Sequence, residues 1–327
     1  QLIVMTTSGF GLTVHGVETG LAISGVRFDG TTFIDSNASV ISGDFVGIYV
    51  GNSFGALSLT STGTATATRY TGIAAINRGT STSLTLSAND SSGGNGGISA
   101  FNYGTGATVI SSSGTATGGL YGIFGANDPS ATDLTVTANN TNGGLRGIVA
   151  GNSGAGALLI TSTGTATGGL IGIDADNFGT DLTITANDTT AGSFMGGEAA
   201  IDAFNGGTGV LLINSTGTAS GTGPSGYGIH ATNHGTNLTI SANNTTGIIA
   251  DNYGTGALSL TSTGTAIGVN FFGIDATNFG TNLTITANNT TGGITGILAF
   301  NRGTGATLVT STGTATGSRY GIIGSNA

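Results

Sequence analysis

One six-residue pattern returns along the whole chain, and its spacing limits the folds open to it. It reads GIAAIN at 72–77, GISAFN at 97–102, GIDADN at 172–177, GIDATN at 273–278 and GILAFN at 296–301. Variants are GIYVGN at 47–52, GIFGAN at 122–127, GIVAGN at 147–152, AIDAFN at 200–205, GIHATN at 228–233, GIIADN at 247–252 and GIIGSN at 321–326. The closing residue is always asparagine: Asn52, Asn77, Asn102, Asn127, Asn152, Asn177, Asn205, Asn233, Asn252, Asn278, Asn301 and Asn326. The first five gaps are 25 residues each, and the later ones are 28, 28, 19, 26, 23 and 25. A period in this range marks a solenoid, in which each repeat is one structural unit stacked on the next.

Two segment types alternate between the markers. One is ALLITSTGTATG at 157–168 or ALSLTSTGTAIG at 257–268; the other is LTITANDTTAG at 182–192 or LTITANNTTGG at 283–293. The full sequence repeat is therefore about 50 residues, made of two similar halves. Within each half, apolar or small residues alternate with Thr. Leu182, Ile184 and Ala186 point one way, while Thr183, Thr185 and Asn187 point the other. A period of two with β-branched residues and Gly-rich punctuation predicts short half-buried strands, and no stretch carries a helical period.

Short strands in every unit of about 25 residues predict an all-β fold, a single-stranded parallel β-helix of about 12–13 coils. A right-handed winding is expected, since the six-residue period of left-handed hexapeptide helices is missing. At a strand spacing of about 4.8 Å, twelve coils would give a rod about 55–60 Å long. Residues 30–327 fit the repeat, and residues 1–29 are expected to form a divergent first coil or part of a cap. The asparagines predict a structural ladder: one amide at one fixed turn of each coil, bonded to main chain and to the next amide. The repeated TSTGTATG string is expected to be one wall of a coil, with small residues inward and Thr hydroxyls toward water.

Composition removes several classes of function. Lys is absent, six Arg face fifteen acids, and the formal net charge is −9. Such a chain does not attract phosphate backbones or anionic membrane surfaces, so neither nucleic acid nor a membrane-surface helix is a partner. No apolar run reaches the ~18 residues needed to span a bilayer, so no membrane insertion is expected within these residues. With no Cys, neither disulfides nor thiol chemistry contribute, and the composition suits an exported bacterial protein. The first residues, QLIVMTTSGF, lack the plan of a signal peptide, which would make the chain a processed or excised portion. The repeat runs to GIIGSNA without a polar cap, so the chain reads as part of a longer solenoid or as a subunit stacking end to end.

Units such as NYGTGALSLTSTGTAIG and NFGTNLTITANNTTGGITGILAFN resemble the β-helical passenger domains of bacterial autotransporter adhesins, over roughly residues 30–327. The resemblance implies secretion through a dedicated outer-membrane route, display on the cell surface, and adhesion or self-association. It would place an outer-membrane barrel downstream, since none lies within these residues.

Stacking turns sequence positions into columns. Asp174, Asp202, His230 and Asp275 share the position after the marker Ile, and Asp176 and Asp251 lie two residues further on. The column is read as a solvated face. Ca²⁺ held by Asp174, Asp202 and Asp275, and a glycosidase-type carboxylate pair, are the alternatives. No catalytic residue, metal or cofactor is expected. His15, His230 and His234 lack the Cys or Glu partners of a zinc site. A second column follows the marker Asn and holds Tyr103, Phe178, His234, Tyr253 and Phe279, with Arg78 and Arg302. These aromatics are expected to pack back over the Gly-rich turns; the alternative is a surface contact with sugar rings or a protein. The Thr rows around Thr161, Thr163 and Thr165 would give a flat hydroxyl array like that of ice-binding solenoids, but Asn187, Asn243 and Asn288 interrupt it. Sequons such as Asn237-Leu238-Thr239 and Asn282-Leu283-Thr284 arise by chance in so Asn- and Thr-rich a chain. The expected function is an extracellular structural or adhesive rod on a bacterial surface, meeting a host or cell-surface glycan or protein or its own copies. The alternatives are an end-to-end filament subunit, a polysaccharide-acting enzyme and an ice-binding solenoid.

Overall fold

The computed structural model describes residues 10–19, 32–193, 199–223, 226–269 and 271–327. The described residues form strands and turns without a helix, in a parallel β-solenoid of about 11 turns. This lies just below the expected 12–13 coils. Residues 10–19 form the strand Phe10–Thr19, paired in parallel with Thr32–Gly43. The rest of the expected N-terminal coil or cap, 1–9 and 20–29, lies outside the described residues.

The chain divides into two compact units, Gln1–Gly164 and Thr165–Ala327. In the first, the short strands pair so that Asn52, Asn77, Asn102, Asn127 and Asn152 stand in one register. In the second, Asn177, Asn205, Asn233, Asn252, Asn278, Asn301 and Asn326 do the same. The unequal gaps in the sequence therefore leave the register untouched. The shortest coil shows how. Its long strand Leu238–Thr245 reaches the short strand Ile248–Asn252 through Gly247, whose φ of 109° suits glycine and whose N–H donates to Thr245 Oγ1 at 2.9 Å.

Most inward positions are filled by Ile, Leu, Val or Ala, with Ser or Thr at some inward positions of the long strands, as at Ser215 and Thr189. Ile173, Ile201, Ile229, Ile248, Ile274 and Ile297 form one buried column of the second unit, and Leu182, Leu211, Leu238, Leu258 and Leu283 form another. Each such side chain contributes about 1.5–3 kcal/mol by leaving water. Alanines complete the short strands, as at Ala175, Ala203 and Ala231, and keep the core narrow.

The two alternating segment types are two halves of one lock. Between inward Ser215 and Ala219 the strand Leu211–Gly221 has one residue more than its neighbour has between Ala186 and Thr189. The surplus makes a β-bulge at every second coil. It takes the Thr218 N–H off the regular ladder, and Asp188 Oδ1 accepts it at 2.8 Å. Asp90 accepts Thr115 N–H at 2.8 Å, Asn244 accepts Thr265 N–H at 3.1 Å, and Asn289 accepts Thr314 N–H at 3.0 Å. The residue before each of these threonines is glycine, because a Cβ there would run into the amide and carboxylate oxygens below. At Gly264 it would lie 2.6 Å from Asn243 Oδ1 and 2.8 Å from the Asn243 carbonyl oxygen. A second lock repeats the device at the preceding turn. Asp133, Asp181, Asn237 and Asn282 accept the N–H of Ala157, Val210, Ala257 and Ala306 at 2.7–2.9 Å. Each of those four residues again follows a glycine whose Cβ would strike the same oxygen.

Gly264→Ala should therefore destabilise the protein by about 1–3 kcal/mol, as overpacking does. Gly151→Ala, where nothing lies within 4 Å of the new methyl, should be neutral or stabilising. Thermal melts of the two variants check this, and equal melting temperatures would sink the lock.

Candidate functional site

The outward face of the short strands in the second unit carries the chemically unlike residues, and the asparagines hold it in place. Asn177, Asn205, Asn233, Asn252, Asn278 and Asn301 are buried. Each of the first five donates through Nδ2 to the Oδ1 of the next at 2.8–2.9 Å. Each also spans its own turn: Asn252 Nδ2 donates to the Gly256 carbonyl at 3.2 Å, and Oδ1 accepts the Gly254 N–H at 3.3 Å. In the first unit Asn127 donates to Asn152 at 3.1 Å, while Asn52, Asn77 and Asn102 each bond main chain across their turns. Asn326 departs from the series: it is exposed and accepts from Thr307 Oγ1 at 3.1 Å.

Three outward rows stand on this frame. The first runs Asp174, Asp202, His230, Ile249, Asp275 and Leu298. The second runs Asp176, Phe204, Thr232, Asp251, Thr277 and Phe300. The third begins at Phe178 and continues through Gly206, His234, Tyr253, Phe279 and Arg302. The backbone N–H of each residue from Gly206 onward donates to the carbonyl of a marker Asn in the coil before, at 2.7–2.8 Å.

The third row is half covered: the Phe178 ring lies against Gly206 of the next coil, 3.1 Å from where a Cβ there would stand. Tyr253 is 49% exposed, Phe178 56% and Phe279 39%, so part of each ring faces solvent. The rings also pack on one another along the row. His234 lies on Tyr253 with centroids 5.1 Å apart and planes at 21°, and Tyr253 on Phe279 at 4.9 Å and 18°. Gly206 would break the row, but Phe204 leans across from the second row and closes it, 5.7 Å from Phe178 and 5.5 Å from His234. A Cβ at Gly206 would meet that ring at 2.8 Å, so the glycine makes room for it. Arg302 ends the row with its guanidinium 5.6 Å from the Phe279 centroid, a cation–π contact. Neither Phe204 nor the role of Gly206 was visible from the column of residues after the marker. A phenylalanine two positions before a glycine on the same face was the available signal. In the first unit Tyr103, 47% exposed, stacks on Phe101 at 6.3 Å, and the contacts run on to Phe124 at 5.0 Å and from there to Tyr121 at 5.4 Å, while the neighbours of Tyr103 in its own row are Arg78 and Asp128.

The acids form a pair and a couple rather than a metal centre. His230 Nδ1 and Asp202 Oδ1 are 3.0 Å apart. Burial pushes the Asp275 carboxyl up to about 6, and the nearby charge of Asp251 adds to the rise. Burial also raises Asp251, against the opposing pull of His230 and a hydrogen bond from Thr277. Asp174 and Asp202 are neighbours in register, whereas His230 and Ile249 stand between Asp202 and Asp275, so the three named for Ca²⁺ do not converge. Among the described residues no group of three His, Cys, Asp or Glu is arranged to hold a metal ion. None of their helices is long and apolar enough to cross a membrane. What the face offers is a row of aromatic edges flanked by carboxylates.

Asn252→Ala should cost about 3 kcal/mol, because it strands buried donors and acceptors above, below and across the turn. Denaturant unfolding measures it, and a loss under about 1 kcal/mol would count against the ladder. The acids predict an unusual pH response. A carboxyl raised from 3.8 to about 6 binds its proton more tightly folded than unfolded. The resulting stabilisation is complete below the unfolded value and is lost as pH rises through about 6. Asp275→Asn should therefore raise stability at pH 7 by on the order of 1 kcal/mol, discounted for partial exposure, and change little at pH 4. Paired melts at the two pH values check the sign. Comparison with protein-family models, curated proteins and solved structures finds no match. What stands is a parallel β-solenoid with coils of about 25 residues.

Proposed function

We propose that this protein is an extracellular structural and adhesive β-solenoid, displayed on a bacterial surface, that holds other surfaces or its own copies by its side. The observation that carries the reading is the solvent-facing ring row of the second unit. A chain whose core is packed mainly with Ile, Leu and Ala has no folding need for Phe178, Tyr253 and Phe279 outside. Exposed, pre-stacked rings suit contact energetics, since they lose little freedom on binding and bring large apolar area. The mostly uncharged walls fit the same role, because contact would come from shape and hydrogen bonding rather than from electrostatic steering. The resemblance of the coils to autotransporter passenger domains points to the same setting.

The test is attachment. Beads coated with the protein are mixed with bacterial or animal cells and with each other, beside beads carrying Tyr253→Ala and Phe279→Ala together. Two anchoring rings at about 1–2 kcal/mol each predict at least a tenfold loss of attachment with the melting temperature held. Undiminished attachment by the folded double variant would overturn the reading.

A further inference from the structure

We propose that the ring row and its flanking carboxylates form a binding track for a linear polysaccharide bearing free amines, of the β-linked polyglucosamine kind. The inference rests on the adhesive reading of this face and names its ligand. Geometry sets the ligand's form. The rings recur once per coil, at the strand spacing of about 4.8 Å, so the face repeats along a line. A ligand that repeats at a similar advance, about one sugar per coil, meets a ring at each step; a compact ligand would use one step only.

Charge sets its chemistry. Asp176, Asp202, Asp251 and Asp275 all lie on this face, beside or one row away from the rings. Its two basic groups besides His234 are already engaged: His230 lies 3.0 Å from Asp202, and Arg302 closes the end of the row over Phe279. The middle of the track is thus negative and ring-lined, and any cation bound there would be held by the carboxylates, since the one ring face seen to take a cation, that of Phe279, is already covered by Arg302. A sulfated or phosphorylated polymer would be repelled.

Ring geometry separates an amine-bearing chain from a neutral one. Neutral sugars hold to aromatic faces, but His234, Tyr253 and Phe279 cover one another's faces at 18–21° and turn their edges outward. Edges alone give apolar contact without much selectivity. Selectivity then falls to the carboxylates, which pair with ammonium groups and accept hydrogen bonds from hydroxyls.

The experiment uses the whole chain at pH 7 and three probes: a glucosamine hexamer, its fully N-acetylated counterpart and spermine. Calorimetry should give at least tenfold tighter binding of the glucosamine hexamer than of the acetylated one, weakening as salt rises. Asp251→Asn with Asp275→Asn should remove that preference; both side chains keep their shape, and folding is checked by melting. Tyr253→Ala with Phe279→Ala should weaken both hexamers at least tenfold. Spermine should compete poorly, since it carries charge without the sugar repeat. Equal binding of the two hexamers, mole-for-mole competition by spermine, or no binding of either hexamer would overturn the proposal. Self-association lost in the ring variant and untouched by the hexamer would assign the row to a second copy and overturn it too. Attachment to cells without hexamer binding would sink the ligand and leave the adhesive reading standing. Loss of both would sink the adhesive reading itself.

Discussion

The structure depends on a mismatch of one residue between neighbouring coils. A parallel stack of identical strands has no internal mark to prevent a slip along the strand, and a slip of one would turn the whole core outward. Here every second long strand carries a bulge, and the coil before it carries an Asn or Asp that accepts the N–H the bulge releases. Slipping by one residue would lose that bond and drive the acceptor into a backbone with a Cβ. This is why TSTGTATG recurs so faithfully. Its glycine and the following threonine are one half of a contact whose other half is written in the TAND or TANN of the preceding coil.

With the register fixed there, the buried asparagines do a different job. They join the turns, where no ladder of backbone bonds can be regular, and each satisfies its own turn and the next amide together. The ladder continues from Asn177 to Asn301 although the gaps in sequence range from 19 to 28 residues. In the shortest coil the lost length falls at the turn after the long strand, at Gly247, and Asn233 and Asn252 stay in register.

The architecture was legible because it is written in periods: two along each strand, about 25 between markers, about 50 between like segments. A row such as Leu182, Ile184, Ala186 can only be read one way when it returns at every coil. The locks were not legible. Nothing in the string Gly-Thr-Asn-Leu says that Asn282 will accept a bond from Ala306 in the next coil, since the partner is 24 residues away and is a backbone atom. The aromatic row was half legible. The rings after the marker could be found by alignment of columns, but their direction could not. A ring beside a Gly-rich turn can fold over it or stand out, and the outcome turned on stacking between coils. Phe204 filling the place left by Gly206 is the clearest case: the residue belongs to one column by sequence and to another by contact.

The contrast between the two units shows where recognition is free to reside. Inside, both are packed with small and mostly apolar residues that repeat from coil to coil, so the interior can hold no information about a partner. The outward positions answer to no such rule. In the first unit the short strands place Tyr49, Ala74, Ser99, Phe124 and Val149 in one outward row, with no repeating chemistry. In the second unit the matching rows collect acids, a histidine pair and a run of rings. Half-buried carboxyls there are held unwillingly, as the upward shift of Asp275 records, and a fold built for stability alone would have replaced them. A solenoid makes such grafting easy, because a side chain added outside one coil disturbs only the coils next to it. The same independence explains why a continuous row of rings needs a cause: each coil can lose its ring without consequence for the core, yet from Phe178 to Phe279 the run of ring contacts, tilted at Phe204 and stacked beyond His234, is unbroken.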